Sequence, residues 1–423
     1  MQKLLDQKTL ILIRAAVLGV IIGIVAVAFR KLTEWLSDFL FHDYFTRENW
    51  YDWLYLPVVC AIGGLIAGFI TQRYAPDASG SGIIQVKKAL NLEGAEIKMK
   101  TVIVKFFGSI ISIASGLSLG REGPTIQIGA GIGDKVAQYI VGTDRKRAIA
   151  SGAGAGLAAA FNTPIAGVIF VIEELDKNIS SSSLGPAIVG SVTAAATCRT
   201  LYGDFFTLHF RSDYATNLLQ LPVFAIIGIL LAFLGVYFQK SILYILDFYP
   251  KYFGKIPMYL WGAMAGLITG IIGLFVPQAL GGGHSTLEGV LSSAFAFKMI
   301  VIIFVVKFFL TVIAYGSKVP GGIFAPSLIL GALAGYALGA VSSFALPFLD
   351  IDPANCAFVG MGAFFTAISR APITSIVMLF ELTGNYQLIL PLMFACILAN
   401  VAAEKIQEGS IYKNLLNREG IDI

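Results

Sequence analysis

Residues 152–174 read GAGAGLAAAFNTPIAGVIFVIEE, and residues 360–382 read GMGAFFTAISRAPITSIVMLFEL. Gly152 pairs with Gly360, Pro164 with Pro372 and Glu173 with Glu381, each at an offset of 208. Two more stretches repeat in the same order at offsets near 202: GREGP (120–124) against GIFAP (322–326), and GSG (80–82) against GGG (281–283). Three ordered anchors at a nearly constant offset imply two related halves. The halves read as 9–201 and 219–404, divided at the polar stretch 202–218. Residues 405–423 form a C-terminal helix and short tail, and no cytoplasmic regulatory domain is expected.

The composition says where these halves reside. Of 423 residues, 57% are hydrophobic and only 13% charged, about half the charge of an ordinary soluble domain. Apolar runs at 9–29, 54–70, 221–238, 256–276, 299–315 and 386–403 include several near the 20 residues needed to cross a bilayer. The chain therefore reads as an all-α, polytopic membrane protein. The first run contains Arg14 and lacks a clear cleavage site, so it reads as a retained helix. Runs such as 164–172 and 372–380, each between a proline and a glutamate, are too short to span. They predict tilted or broken helices whose ends must be buried in protein or line a wet cavity. Paired halves with broken helices suggest a transporter with its site at the interface of the halves.

The net charge of +4 is small and spread over loops, which argues against nucleic acid. Arg145-Lys146-Arg147 and the basic residues from Lys405 to Arg418 read as anchors for lipid headgroups and weakly favour a cytoplasmic C-terminus. The four cysteines and three histidines are scattered. They read as buried hydrophobes and isolated side chains, and no metal site is expected.

SLGREGPT (118–125) is the anomaly. Arg121 and Glu122 are the only charged residues between Lys105 and Asp134. A charge at mid-membrane costs about 2.5–3.5 kcal/mol on insertion scales. GSGI (80–83), GREGP and GIFAP each put glycine before an apolar helical run, and two of them end in proline, which suits a first helical turn. Glycine allows close approach of the backbone. Free N–H groups at helix starts carry positive partial charge. Several such starts converging at depth would hold a dehydrated small anion without a full positive charge.

GSGI, GREGP and GGIFAP in this order, together with GAGAGLAAAFNTPIAGVIFVIEE, NYQLILP (385–391) and GSIYKNLL (409–416), resemble the CLC family of chloride channels and proton/chloride exchangers. The resemblance runs from about residue 10 to 418 and is nearest to prokaryotic exchangers lacking regulatory domains. It implies inverted halves, a homodimer with one pore per subunit in the bacterial inner membrane, chloride and protons as substrates, and no cofactor. Residue by residue, it implies that Ser81 and the Tyr412 hydroxyl contact the anion, with Tyr412 on a pore-lining C-terminal helix. The backbone at Ile323 and Phe324 would line the same site, with Gly120, Arg121 and Gly123 around it. Glu122 would be the external gate, competing with chloride for the anion site. Glu174 would be the internal proton-transfer carboxylate. The internal repeat, which matches Glu173 with Glu381, argues instead that Glu173 is structural and closes a helix end in both halves. The family usually has proline after GSGI, where this chain has Ile84.

A passive chloride channel of the same fold is the alternative, and Glu174 argues for the exchanger. GLSLG (116–120) formally matches GxSxG, with Ser118 as nucleophile and His284 as base. It lacks the strand–turn–helix context of a nucleophile elbow, so an enzyme is not expected. The glycine runs GAGIG (129–133) and GAGAG (152–156) have no βαβ unit around them and read as helix packing.

Overall fold

The computed structural model describes residues 2–42, 52–139, 144–176, 181–203 and 218–422. The boundary expected at 202–218 therefore lies mostly outside the described residues.

The first half contains α1 (Gln2–Phe41), α2 (Asp52–Tyr74), α3 (Ile83–Asn91), α4 (Met99–Ala114), α5 (Glu122–Tyr139), α6 (Arg145–Phe161), α7 (Pro164–Phe170) and α8 (Ser181–Tyr202). The second contains α9 (Leu221–Phe253), α10 (Met258–Gly273), α11 (His284–Leu291), α12 (Phe297–Gly316), α13 (Phe324–Ala345), α14 (Pro353–Ser369), α15 (Pro372–Thr383) and α16 (Ile389–Ile406). The last helix, α17 (Ile411–Arg418), follows both halves. Among the described residues six helical segments are long and apolar enough to cross a membrane, and they include 324–345. That segment is the apolar run that GIFAP opens. At 7 residues α7 is about 10 Å long, far short of a hydrocarbon core of about 30 Å.

Matched residues build matched elements. Asp144 caps α6 by accepting the Arg147 amide, and Asp352 caps α14 by accepting the Ala354 amide, which satisfies otherwise orphaned N–H groups. Both helices end on a left-handed residue, Asn162 (φ 61°) and Arg370 (φ 56°). Pro164 and Pro372 then open α7 and α15. Lys105 and Lys307 are fully buried. Lys105 donates to the carbonyls of Ala78 and Gly80 at 2.9 and 2.7 Å, and Lys307 to those of Ala279 and Gly281 at 3.3 and 3.1 Å. Each lysine ties a helix to the glycine loop of its own half.

The halves meet reciprocally. Glu173 accepts the amides of Ile373 and Thr374 at 3.0 and 2.7 Å. Glu381 accepts those of Ile165 and Ala166 at 3.0 and 2.8 Å. Each carboxylate thus caps the short helix of the other half, a pattern that a two-fold axis generates. Gly64 on α2 and Gly262 on α10 face each other so closely that a Cβ on either would strike the other's carbonyl oxygen. Within each half the same device joins Gly129 to Gly152 and Gly331 to Gly360. The glycine runs of the sequence are therefore helix-packing surfaces. One contiguous apolar core runs through both halves.

Candidate functional site

The loops before α5 and α13 pair directly. Gly120 donates to the Gly322 carbonyl at 2.6 Å, and Gly322 donates back at 2.7 Å. This exchange brings the starts of the two helices together. Glu122, the first residue of α5, is fully buried there. Its Oε2 accepts the Ala325 amide at 3.3 Å, and the amides of Arg121 and Glu122 also face the carboxylate. Its Oε1 has no hydrogen-bond partner among the described residues. The carboxylate thus occupies a pocket of helix-terminal amides, the environment that favours an anion.

The glycines around it make room. A Cβ on Gly120 would overlap Glu122 Oε2 and lie 3.1 Å from the Ala325 nitrogen. A Cβ on Gly123 would lie 2.7 Å from the Ser81 carbonyl oxygen, so Gly123 lets α5 rest against the serine loop. Ser81 is buried, and its Oγ accepts the Ile83 amide at 3.4 Å. Gly82, at φ 87°, provides the left-handed turn into α3. The helix starts at Ile83 without the proline usual in the next position, and Ile84 packs against the apolar core. Ile323 and Phe324 are buried at the start of α13. The Phe324 ring lies 5.2 Å from Phe161, 6.0 Å from Phe170 and 4.1 Å from Phe365. These contacts pin that helix start, although the amide paired with Glu122 belongs to the next residue, Ala325.

Tyr412, the second residue of α17, is 1% exposed and within electrostatic reach of Glu122, Glu174 and Tyr315. Tyr315 in turn lies against Ser81. Sequence reasoning missed it because a tyrosine in an apolar helix looks like core. Arg121 faces Glu34 on α1, with Nη1 3.6 Å from Oε1. Glu34 also binds Arg30 at 2.7 Å and the Tyr202 hydroxyl. Ser118 is hydrogen-bonded to Thr311 at 2.8 Å.

Glu174 lies in a π-helical turn, Val171–Leu175, that continues α7; such turns recur at functional sites. It is 2% exposed and borders a cavity of about 270 Å³ that Lys87, Arg370, Glu404, Glu408 and Lys413 also line. Its Oε1 accepts from Lys87 Nζ at 2.8 Å and from Ser410 Oγ at 3.0 Å. The sequence reading did not single out Lys87. The signal was there: α3 buries Ile83, Val86, Lys87 and Leu90 on one face, so a lysine sits on an apolar stripe. The neighbouring Glu173 instead caps α15.

A membrane-embedded fold of two related halves, with helix starts converging on a buried carboxylate, defines an ion-transport protein. Residues 63–404 match the model of the voltage gated chloride channel family, and the chain belongs to that family. It is 36% identical, over 96% of its length and 89% of the relative's, to the H(+)/Cl(-) exchange transporter ClcA of Vibrio parahaemolyticus. It is 33% identical over 96% of its length to the ClcA of Salmonella paratyphi B, covering 88% of that protein. Among solved structures it superposes with a TM-score of 0.90 on a slow cyanobacterial Cl-/H+ antiporter, at 31% identity and 97% coverage of both chains. A eukaryotic CLC transporter shares the fold, with a TM-score of 0.84 at 21% identity over 97% of this chain and 74% of that one. The chain is a multi-pass membrane protein.

Proposed function

We propose that this protein is a secondary transporter exchanging chloride for protons across the bacterial inner membrane. Glu122 is its anion-competing gate and Glu174 its second proton-transfer group. The observation that carries the reading is the buried Glu122 carboxylate held by the Ala325 amide at the start of α13, with one oxygen unpartnered among the described residues. An ionised Glu122 fills the amide pocket as a chloride would. A protonated Glu122 loses that attraction and yields the pocket to chloride. Competition for one site links proton uptake to chloride occupancy. Ser81, Tyr412 and the backbone at Ile323 and Phe324 bind the dehydrated anion, and Gly120 and Gly123 keep the pocket open. Arg121 supplies positive field from its network with Glu34. The relatives named as proton/chloride exchangers and the buried Glu174 both support exchange over passive conduction. We take 9–201 and 219–404 as the two halves, inverted in the membrane, and a homodimer as the assembly.

The test is purified protein in chloride-loaded liposomes, with chloride and pH electrodes in one bath. A chloride gradient should drive protons uphill, and Glu122→Gln should stop proton movement while leaving chloride flux. Rapid chloride efflux without uphill proton movement in the unmodified protein would make it a channel.

A further inference from the structure

Glu174 is built into a bridge between two elements. Lys87 Nζ on α3 and Ser410 Oγ at the cap of α17 share the same carboxylate oxygen, at 2.8 and 3.0 Å. Lys87 and Glu174 are 6% and 2% exposed. Ser410 also accepts the Lys413 amide at 3.2 Å, which caps the helix that carries Tyr412 two residues on. A serine cap therefore spends its hydroxyl proton on Glu174 and its lone pair on α17. Among the described residues, Arg370 after α14, Glu404 on α16, Glu408 and Lys413 on α17 line the same cavity, Tyr412 is within electrostatic reach, and Glu173 and Asp176 flank Glu174 in the chain. Arg370 is already committed, to Glu404 Oε2 at 3.0 Å and to the carbonyls of Ala403 and Gln407. Lys87 reaches the Glu174 carboxylate as a hydrogen-bonded cation.

We propose that Lys87 and Ser410 form a latch on Glu174: Lys87 holds the carboxylate ionised and docked, and the docked carboxylate holds the cap of the Tyr412 helix. The proposal rests on Glu174 being the proton-transfer group. A proton arriving at Glu174 removes the charge that binds Lys87 and weakens the acceptor for Ser410. The α17 cap then loosens while Glu174 is loaded, so Tyr412 senses the proton before Glu122 does. Lys87 and Ser410 are positioning residues that act through Glu174, and neither needs to touch chloride.

The experiment measures coupled turnover against pH in liposomes for the unmodified protein, Lys87→Met, Lys87→Arg, Ser410→Ala and Glu174→Gln, each checked for a monodisperse elution profile. An adjacent cation shifts a carboxylate by about one to three pH units. Without it, a neutral Glu174 forms at higher pH, so the Lys87→Met profile should move at least about one unit upward. Lys87→Arg should restore the original profile, and in a Glu174→Gln background, where coupling is lost, Lys87→Met should leave the pH dependence of chloride flux unchanged. Ser410→Ala keeps both charges and should lower the ratio of protons to chloride. If Lys87→Met leaves the profile in place while Glu174→Gln uncouples transport, the latch is overturned and the assignment of Glu174 stands. If Glu174→Gln transports protons normally, both fail. Should Lys87→Met not be recovered folded, Ser410→Ala decides: an unchanged ratio overturns the latch.

Discussion

The identity of single residues at the pocket follows from space and charge. Gly123 tolerates no side chain because its Cβ would sit 2.7 Å from the Ser81 carbonyl oxygen. Gly123→Ala should therefore push α5 off the serine loop. We expect weaker chloride binding by calorimetry and a lower unfolding temperature, in line with a cost of about 1–3 kcal/mol for overpacking; unchanged binding would remove Gly123 from the pocket. Tyr412→Ala should weaken chloride affinity roughly tenfold, since a hydrogen bond to a charged group contributes about 1.5–3 kcal/mol and tenfold is about 1.4 kcal/mol. Equal affinities would sink the hydroxyl contact. Ser81, Tyr412 and Glu122 could be picked out along the chain because each sits in a long distinctive motif. Tyr315 was not, because its surroundings resemble ordinary helix; Lys87 carried a signal, a lysine on an apolar stripe, but only packing shows what it touches.

Element starts and ends carry the next level of organisation. Glu173 and Glu381 each cap the short helix of the opposite half. A helix of 7 residues, such as α7, cannot hold itself by propagation alone, so its start must be secured from outside. Glu173→Gln should leave proton coupling intact, whereas Glu174→Gln should abolish it. The opposite pattern in the two-electrode assay would move the proton-transfer role by one residue. Glu381→Ala should lower stability through loss of two charge-assisted bonds, by about 1–3 kcal/mol each. A thermal transition within a degree of the unmodified protein would show that the cap contributes little. The repeat had marked Glu173 as closing a helix end, and the pairing of 173 with 381 at constant offset was the clue. That the closed ends belong to the other half is information about space, which an offset along the chain does not contain.

At the scale of the molecule, the two halves form one body through contacts that repeat under a two-fold relation. Gly64 and Gly262 bring α2 and α10 into backbone contact. Gly64→Ala and Gly262→Ala should each destabilise the protein. The double variant should cost less than the sum, because one displacement relieves both clashes. Strict additivity in thermal unfolding measured by size-exclusion chromatography would mean that the two sites do not share a contact. Sequence by itself determined the membrane setting and the duplicated halves, and its motifs singled out the residues proposed for the pocket. Those are properties of composition, period and local motif, and each is written along the chain. Tertiary structure alone decided that Glu122 rests on the Ala325 amide and that Glu173 and Glu381 cap across the halves. It also decided that Lys87, Glu174 and Ser410 meet at one oxygen. These contacts join residues 87 to 236 positions apart, and a meeting of that kind depends on how the helices pack, which no local pattern in the chain encodes.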